Sequence, residues 1–151
     1  MGPTTASIPL LYLAAISPEL VRVDLREHRL PNALTLPGIV LGAAACALQT
    51  LSTGRVELAP IMAGLCYTGL LLVLWLLGGM GLGDVKLGAA LGFASWIPFV
   101  GVLSPVVAFL AGGVGSIAVL VSRGRGARMA FGPYLIGGFW CAVGLVAFAR
   151  L

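Results

Sequence analysis

The segment GGMGLGDVKLG, residues 78–88, decides the fold because it breaks an apolar chain with glycine and charge. Four glycines precede Asp84, and Lys86 follows it two residues later. Charged side chains are costly among apolar residues, so their presence there indicates a functional site. Glycines let the backbone bend sharply and let another chain come close. We interpret this segment as one half of a site and expect a second acidic segment to supply the other half.

The composition is that of an integral membrane protein. Of 151 residues, 60% are hydrophobic and 9% are charged, whereas soluble domains contain about 25% charged residues. The mean hydropathy is +1.08, so we expect one membrane-embedded domain over residues 1–151. The net charge of +4 comes from basic residues between apolar blocks, which indicates membrane topology and no nucleic-acid partner. The three cysteines and the one histidine lack metal-ligand spacing, so we expect no metal and no cofactor.

The apolar segments predict an all-α fold with six transmembrane helices, because a span needs about 20 apolar residues. The 36 uncharged residues from Leu87 to Ser122 suit two crossings, with Ser104-Pro105 as N-cap and first residue of the second. Asn32 is a predicted N-cap of the helix that follows Pro31. The predicted spans are residues 8–23, 30–54, 58–77, 87 to about 96, 104–122 and 129–149.

Basic residues set the predicted orientation. With the N-terminus outside, seven basic residues lie on the cytoplasmic side and two lie outside. The cytoplasmic set is Arg22, Arg26, Arg29, Lys86, Arg123, Arg125 and Arg128, and the outer set is Arg55 and Arg150. This bias predicts a multi-pass protein of the cytoplasmic (inner) membrane with both termini outside.

Asp24 and Asp84 are predicted to share the cytoplasmic edge of the membrane. Two predicted spans separate them, and a chain that crosses twice returns to the side it left. If the helices bring the two carboxyl groups together, mutual repulsion and poor solvation leave one protonated while the other is ionised. Such a pair can activate water for amide hydrolysis without a metal or a covalent intermediate.

Spacing alone leaves other interpretations open. Asp84 follows glycines and precedes a helix, as an N-cap does, and Asp24 stands among arginines, as a solvated charge does. Lys86 cannot face Asp84 on a helix, so it either snorkels to the surface or takes part in the site separately. Six helices with intramembrane acids also suit a small ion or proton-coupled transporter, and a structural subunit without chemistry is a further alternative.

Three motifs resemble those of the type IV prepilin peptidases, which are GxGD-type aspartic proteases of the membrane. GLGDVK at residues 81–86 fits the GxGDxK signature. DLREHRLPN at residues 24–32 resembles the first-aspartate motif, with Leu30 where isoleucine is usual. FGPY at residues 131–134 resembles the Phe-Gly-Pro-aromatic motif of the last span. The resemblance runs from about Asp24 to Gly138, in the order that the family has.

The resemblance implies an aspartic endopeptidase with Asp24 and Asp84 as catalytic acids. Its substrate would be a prepilin-like protein, whose short basic leader is removed at the cytoplasmic face of the lipid bilayer. The residues expected to bind substrate or shape the site are Pro31, Asn32, Gly81, Gly83, Lys86, Gly132 and Pro133. We expect a short form, since the residues before Asp24 lack the paired cysteines that accompany N-methylation. Residues 78–83 are expected to pair with the substrate backbone as an extended strand.

Overall fold

The computed structural model describes residues 3–124 and 129–149, without the side chains of residues 3, 4 and 123. These residues form six helices and no strand, so the predicted all-α fold is confirmed. The helices are α1 (Pro3–Glu27), α2 (Asn32–Thr53), α3 (Leu58–Leu76), α4 (Leu82–Phe93), α5 (Pro98–Arg123) and α6 (Gly132–Phe148). Residues 125–128 of the predicted basic loop, and Arg150, lie outside the described residues.

Four helices are long and apolar enough to cross a membrane, namely α1, α2, α3 and α5. α6 is apolar and somewhat shorter, at 17 residues. Their outward surface carries exposed apolar side chains such as Leu11, Val40 and Val102, as is expected where side chains face lipid. The protein is therefore a polytopic integral membrane protein. α4 has only 12 residues and is about 18 Å long, which is less than the hydrocarbon thickness of about 30 Å.

The short helix α4 occupies the centre of the bundle. It packs against α2, α3 and α6, while α1 packs against α2 and α6, and α5 packs against α3 and α6. Seven of its twelve residues are buried, and most are small: Val85, Leu87, Gly88, Ala89, Ala90, Leu91 and Gly92. Small residues let membrane helices approach closely, and here they allow the acid-bearing helix to be enclosed on several sides.

The helices α4 and α3 approach each other closely at Gly92. A Cβ added at Gly92 would lie 2.6 Å from the Cα of Gly64 and 2.7 Å from the carbonyl oxygen of Ala63. Both obstacles are backbone atoms, which cannot rotate away as a side chain does. The glycine at position 92 is therefore required for the observed contact between the two helices.

The predicted start of the fifth helix is wrong. α5 begins at Pro98, with Ile97 as N-cap, so Ser104 and Pro105 lie inside the helix. Pro98 supplies the proline at the first helical position, where its missing N–H costs nothing. The Ser104 hydroxyl is buried and donates a hydrogen bond to the Tyr67 hydroxyl at 3.5 Å, so it serves helix packing and not capping.

The predicted capping of α2 by Asn32 is also wrong. Pro31 is the N-cap, in extended conformation, and Asn32 is the first helical residue. Among the described residues, no side chain caps this end of α2, and the amide of Asn32 accepts a hydrogen bond from Lys86 instead. The Pro-Asn pattern therefore predicts the start of α2 correctly, but the N-cap is Pro31 and not Asn32.

Candidate active site

Asp24 and Asp84 open onto one cavity of about 250 Å³. Asp24 lies in the last turn of α1, and Asp84 lies in the first turn of α4. The spans α2 and α3 separate the two residues in the chain, so the predicted return to one end of the bundle is what the structure shows. The other residues that line the cavity are His28, Arg29, Leu30, Asn32, Gly81, Leu82, Gly83 and Lys86.

Asp24 is a buried acid with one backbone donor. Its side chain is 4% exposed, and Oδ2 accepts a hydrogen bond from the Gly132 N–H at 2.9 Å. Within the described part of the chain, the one ion pair joins Arg22 to Glu19, so no arginine pairs with Asp24. This burial excludes the interpretation of Asp24 as a solvated surface charge.

Asp84 is the third residue of α4 and caps the start of that helix from within. Its Oδ2 accepts a hydrogen bond from the Gly81 N–H at 3.4 Å, and Gly81 is the N-cap. Burial, followed by the nearby negative charge of Asp24, raises the pKa of Asp84 to about 6, while the Gly81 N–H opposes this shift. The carboxyl group of Asp84 therefore caps the start of α4 and also belongs to the lining of the cavity.

Leu30 packs between α4 and α6, next to the two acids. It is buried in the turn between α1 and α2 and packs on Gly83 of α4, where an added Cβ would lie 2.9 Å from the Leu30 Cβ. Its Cδ2 lies 3.5 Å from where a Cβ of Gly132 would be. Leu30 thus fills the space between α4 and α6, and the absence of side chains at both glycines makes this possible.

Lys86 joins α4 to the start of α2. Its Nζ donates a hydrogen bond to Oδ1 of Asn32 at 2.8 Å. Among the described residues, no carboxylate lies within 4.0 Å of this ammonium group. Lys86 therefore binds Asn32 at the rim of the cavity, which a side chain that only snorkels to the membrane surface would not do.

Of the remaining predicted site residues, some contact Asp24 or line the cavity, and others do not line it. Gly132 touches Asp24, and Gly81 and Gly83 line the cavity. Pro31 and Pro133 do not line it, and they act on the backbone as N-cap of α2 and second residue of α6.

Residues 78–83 do not form an extended strand in the structure, and their pairing with a substrate backbone stays a prediction. Gly78 has a φ of 76° and lies in a turn after α3, while Leu82 and Gly83 already belong to α4. Positive φ is accessible to glycine at little cost, so the glycine run here makes a tight turn that delivers Asp84 to the cavity.

Sequence reasoning missed four cavity residues, namely His28, Arg29, Leu30 and Leu82. Leu30 does carry a signal, because an apolar residue between charged residues and Pro31 indicates burial. His28 is exposed, and its φ of 51° turns the chain after α1. No local signal distinguishes His28 and Arg29 from ordinary loop residues.

The arrangement contains groups that can perform acid–base chemistry. Two carboxyl groups face one cavity, each accepts a backbone N–H, and a lysine ammonium stands at the rim. A water molecule between a protonated and an ionised carboxyl group can be deprotonated by one while the other donates a proton to the substrate.

The chain is similar to known proteins over most of its length. Residues 10–121 match the model of the type IV leader peptidase family. Two relatives named "Prepilin leader peptidase/N-methyltransferase", from Burkholderia pseudomallei strains 1026b and K96243, are each 31% identical over 148 residues. The alignment covers 91% of this chain and 46% of each relative, so the chain spans about half the length of these curated relatives. No solved structure matches the chain. The family match covers most of the sequence, and the chain belongs to the type IV leader peptidase family.

Proposed function

We propose that this protein is an aspartic endopeptidase that removes the basic leader from prepilin-like proteins at the cytoplasmic face of the membrane. The observation that carries the proposal is the shared cavity of Asp24 and Asp84, which two membrane-crossing helices separate in the chain. Family membership supports leader processing in general. The N-methyltransferase activity in the relatives' name is not part of the proposal.

The proposed orientation places the cavity in the cytoplasmic leaflet. Arg29 and Lys86 line it, and Arg26 lies in the last turn of α1, one turn or less from Asp24 along the chain. Basic residues near the ends of spans favour the cytoplasmic side. The substrate would keep its basic leader in the cytoplasm and its apolar helix in lipid, so the bond to be cut would reach the cavity at the boundary.

In the proposed reaction, Asp84 holds the proton and Asp24 is ionised. Asp24 takes a proton from water, the resulting hydroxide attacks the peptide carbonyl carbon, and Asp84 donates its proton to the carbonyl oxygen. The tetrahedral intermediate then collapses, the C–N bond breaks, and the leaving amine receives the proton that Asp24 accepted. The hydroxyl proton of the intermediate returns to Asp84, so both acids regain their starting states.

The pH dependence of leader release follows from this assignment. We expect a bell-shaped profile for the purified protein acting on a synthetic prepilin peptide in detergent. The rate falls at low pH because both acids become protonated, and it falls at high pH because Asp84 loses its proton. Since the pKa of Asp84 is raised, the alkaline limb lies above the range of an ordinary carboxyl group.

The same assay decides between the proposal and its alternatives. Release of the leader by the purified protein, measured by mass spectrometry of the two fragments, excludes a transporter and a structural subunit as the sole function. No cleavage at any pH between about 4 and 9, a window that covers the ordinary titration range of carboxyl and histidine groups, would contradict the proposal.

A further inference from the structure

We propose that Gly132 is the positioning residue for Asp24, acting through its N–H and through the absence of a side chain. This inference rests on the proposed function, since it concerns how one of the proposed catalytic acids is held. It concerns two residues that lie 108 positions apart in the chain and that meet at the junction of α1 and α6.

The hydrogen-bonding pattern at the start of α6 singles out the Gly132 N–H. The N–H groups of Tyr134 and Leu135 both donate to the carbonyl oxygen of Phe131. Pro133 has no N–H to donate. Gly132 therefore carries the one N–H in this turn that is directed to Asp24, with a distance of 2.9 Å to Oδ2. A carboxylate at a helix N-terminus is also favoured by the helix dipole.

The space next to the Gly132 Cα, where a side chain would begin, is occupied by the carboxyl group of Asp24. An added Cβ would lie 2.6 Å from Oδ2 of Asp24 and 3.2 Å from its Cγ. Ordinary contacts begin at 3.4 Å, so the carboxyl group would have to retreat by about 0.8 Å. The obstacle is the end of a side chain, so an alanine at this position can be accommodated by moving Asp24 while the bundle stays assembled.

Gly132→Ala is therefore expected to fold and to misplace the acid. A displacement of about 1 Å at a reacting group costs up to about 10²-fold in rate, so we expect kcat to fall by about that factor with KM little changed. The matched control is Gly137→Ala in the same helix, because a Cβ at Gly137 would meet no atom of the described residues within 4 Å. Gly138→Ala is the packing control, since its Cβ would lie 2.7 Å from the backbone N of Ala108.

The three variants separate positioning from packing. We expect Gly132→Ala to have the wild-type Tm and a reduced kcat. Gly137→Ala should have the wild-type Tm and the wild-type kcat, and Gly138→Ala should have a lower Tm. A Gly132→Ala variant with the kcat of Gly137→Ala would overturn the inference while leaving the proposed function intact. Absence of leader cleavage by the wild-type protein would instead contradict the proposed function.

A measurement without substrate tests the same contact even if Gly132→Ala fails to fold. Phe131–Gly132 is the single Phe–Gly pair in the sequence, so labelling with ¹³C-carbonyl phenylalanine and ¹⁵N-glycine gives one amide correlation in the NMR spectrum. We expect this resonance to move in Asp24→Leu, which removes the acceptor, and to move much less in the matched variant Asp84→Leu. A resonance that stays in place in Asp24→Leu would show that Gly132 does not donate to Asp24.

Discussion

Asp24→Asn and Asp84→Asn, made separately, are each expected to abolish leader removal from a co-expressed prepilin. Asparagine keeps the shape of the side chain but neither gives up nor takes a proton in the reaction. General acid–base catalysis contributes about 10²- to 10⁴-fold, so each variant should lose cleavage by at least this factor. The readout is the ratio of processed to unprocessed prepilin on a gel, with the amount of folded enzyme measured in parallel.

The matched control for these variants is Glu27→Gln, in the same last turn of α1 as Asp24. Glu27 is exposed and does not line the cavity, so we expect normal processing. Because the two acids act in one step, the double variant should be no worse than either single variant. Retained processing in Asp24→Asn or in Asp84→Asn would remove the two-acid mechanism and favour a different role for these carboxyl groups.

Gly92→Ala is expected to produce the largest loss of stability of any single methyl addition in the α3–α4 contact. The new Cβ would meet the Cα and N of Gly64 and the carbonyl oxygen of Ala63, at 2.6–2.8 Å. Overpacking of this kind costs about 1–3 kcal/mol, and more where backbone must move. We also expect the substitution to displace Asp84, because Asp84 belongs to α4 and α4 packs against α3.

The measurement for Gly92→Ala is thermal unfolding of the purified protein in detergent. A loss of 1 kcal/mol lowers Tm by about 2–4 °C in chains of 150–250 residues, so a drop of several degrees is expected. The control is Gly69→Ala in α3, where a Cβ meets nothing within 4 Å, and it should keep the wild-type Tm. Equal Tm values for Gly92→Ala and Gly69→Ala would mean that the two helices do not approach as described.

Several features of the fold follow from the sequence because they depend on counting and on composition. Apolar segments of sufficient length give the helices, and two crossings between Asp24 and Asp84 bring both acids to one end of the bundle. These inferences need no knowledge of which helix packs on which. They hold because a lipid environment forces each apolar segment to satisfy its own backbone hydrogen bonds as a helix.

Other features could not be obtained from the sequence because they depend on tertiary contacts. Ser104-Pro105 has the same local signal inside a membrane helix as at its start, and Pro98 makes the actual start. The glycines before Asp84 permit many backbone conformations, and the surrounding helices select a turn. The contact between Gly132 and Asp24 spans 108 residues, so no local pattern encodes it.

The central claim is that the carboxyl groups of Asp24 and Asp84 face one cavity on one side of the membrane. Cysteine cross-linking tests it directly, in a chain whose Cys46, Cys66 and Cys141 are replaced by alanine. None of these native cysteines lines the cavity. The test pair is Asp24→Cys with Asp84→Cys, and the control pair is Asp24→Cys with Glu57→Cys, since Glu57 precedes α3 at the other end of α2.

We predict that a short bis-maleimide cross-links positions 24 and 84 and leaves positions 24 and 57 unlinked. An impermeant thiol reagent should reach the thiols at 24 and 84 from the cytoplasmic side only. Failure of the test pair to cross-link, or labelling of the two positions from opposite faces of the membrane, would contradict the account.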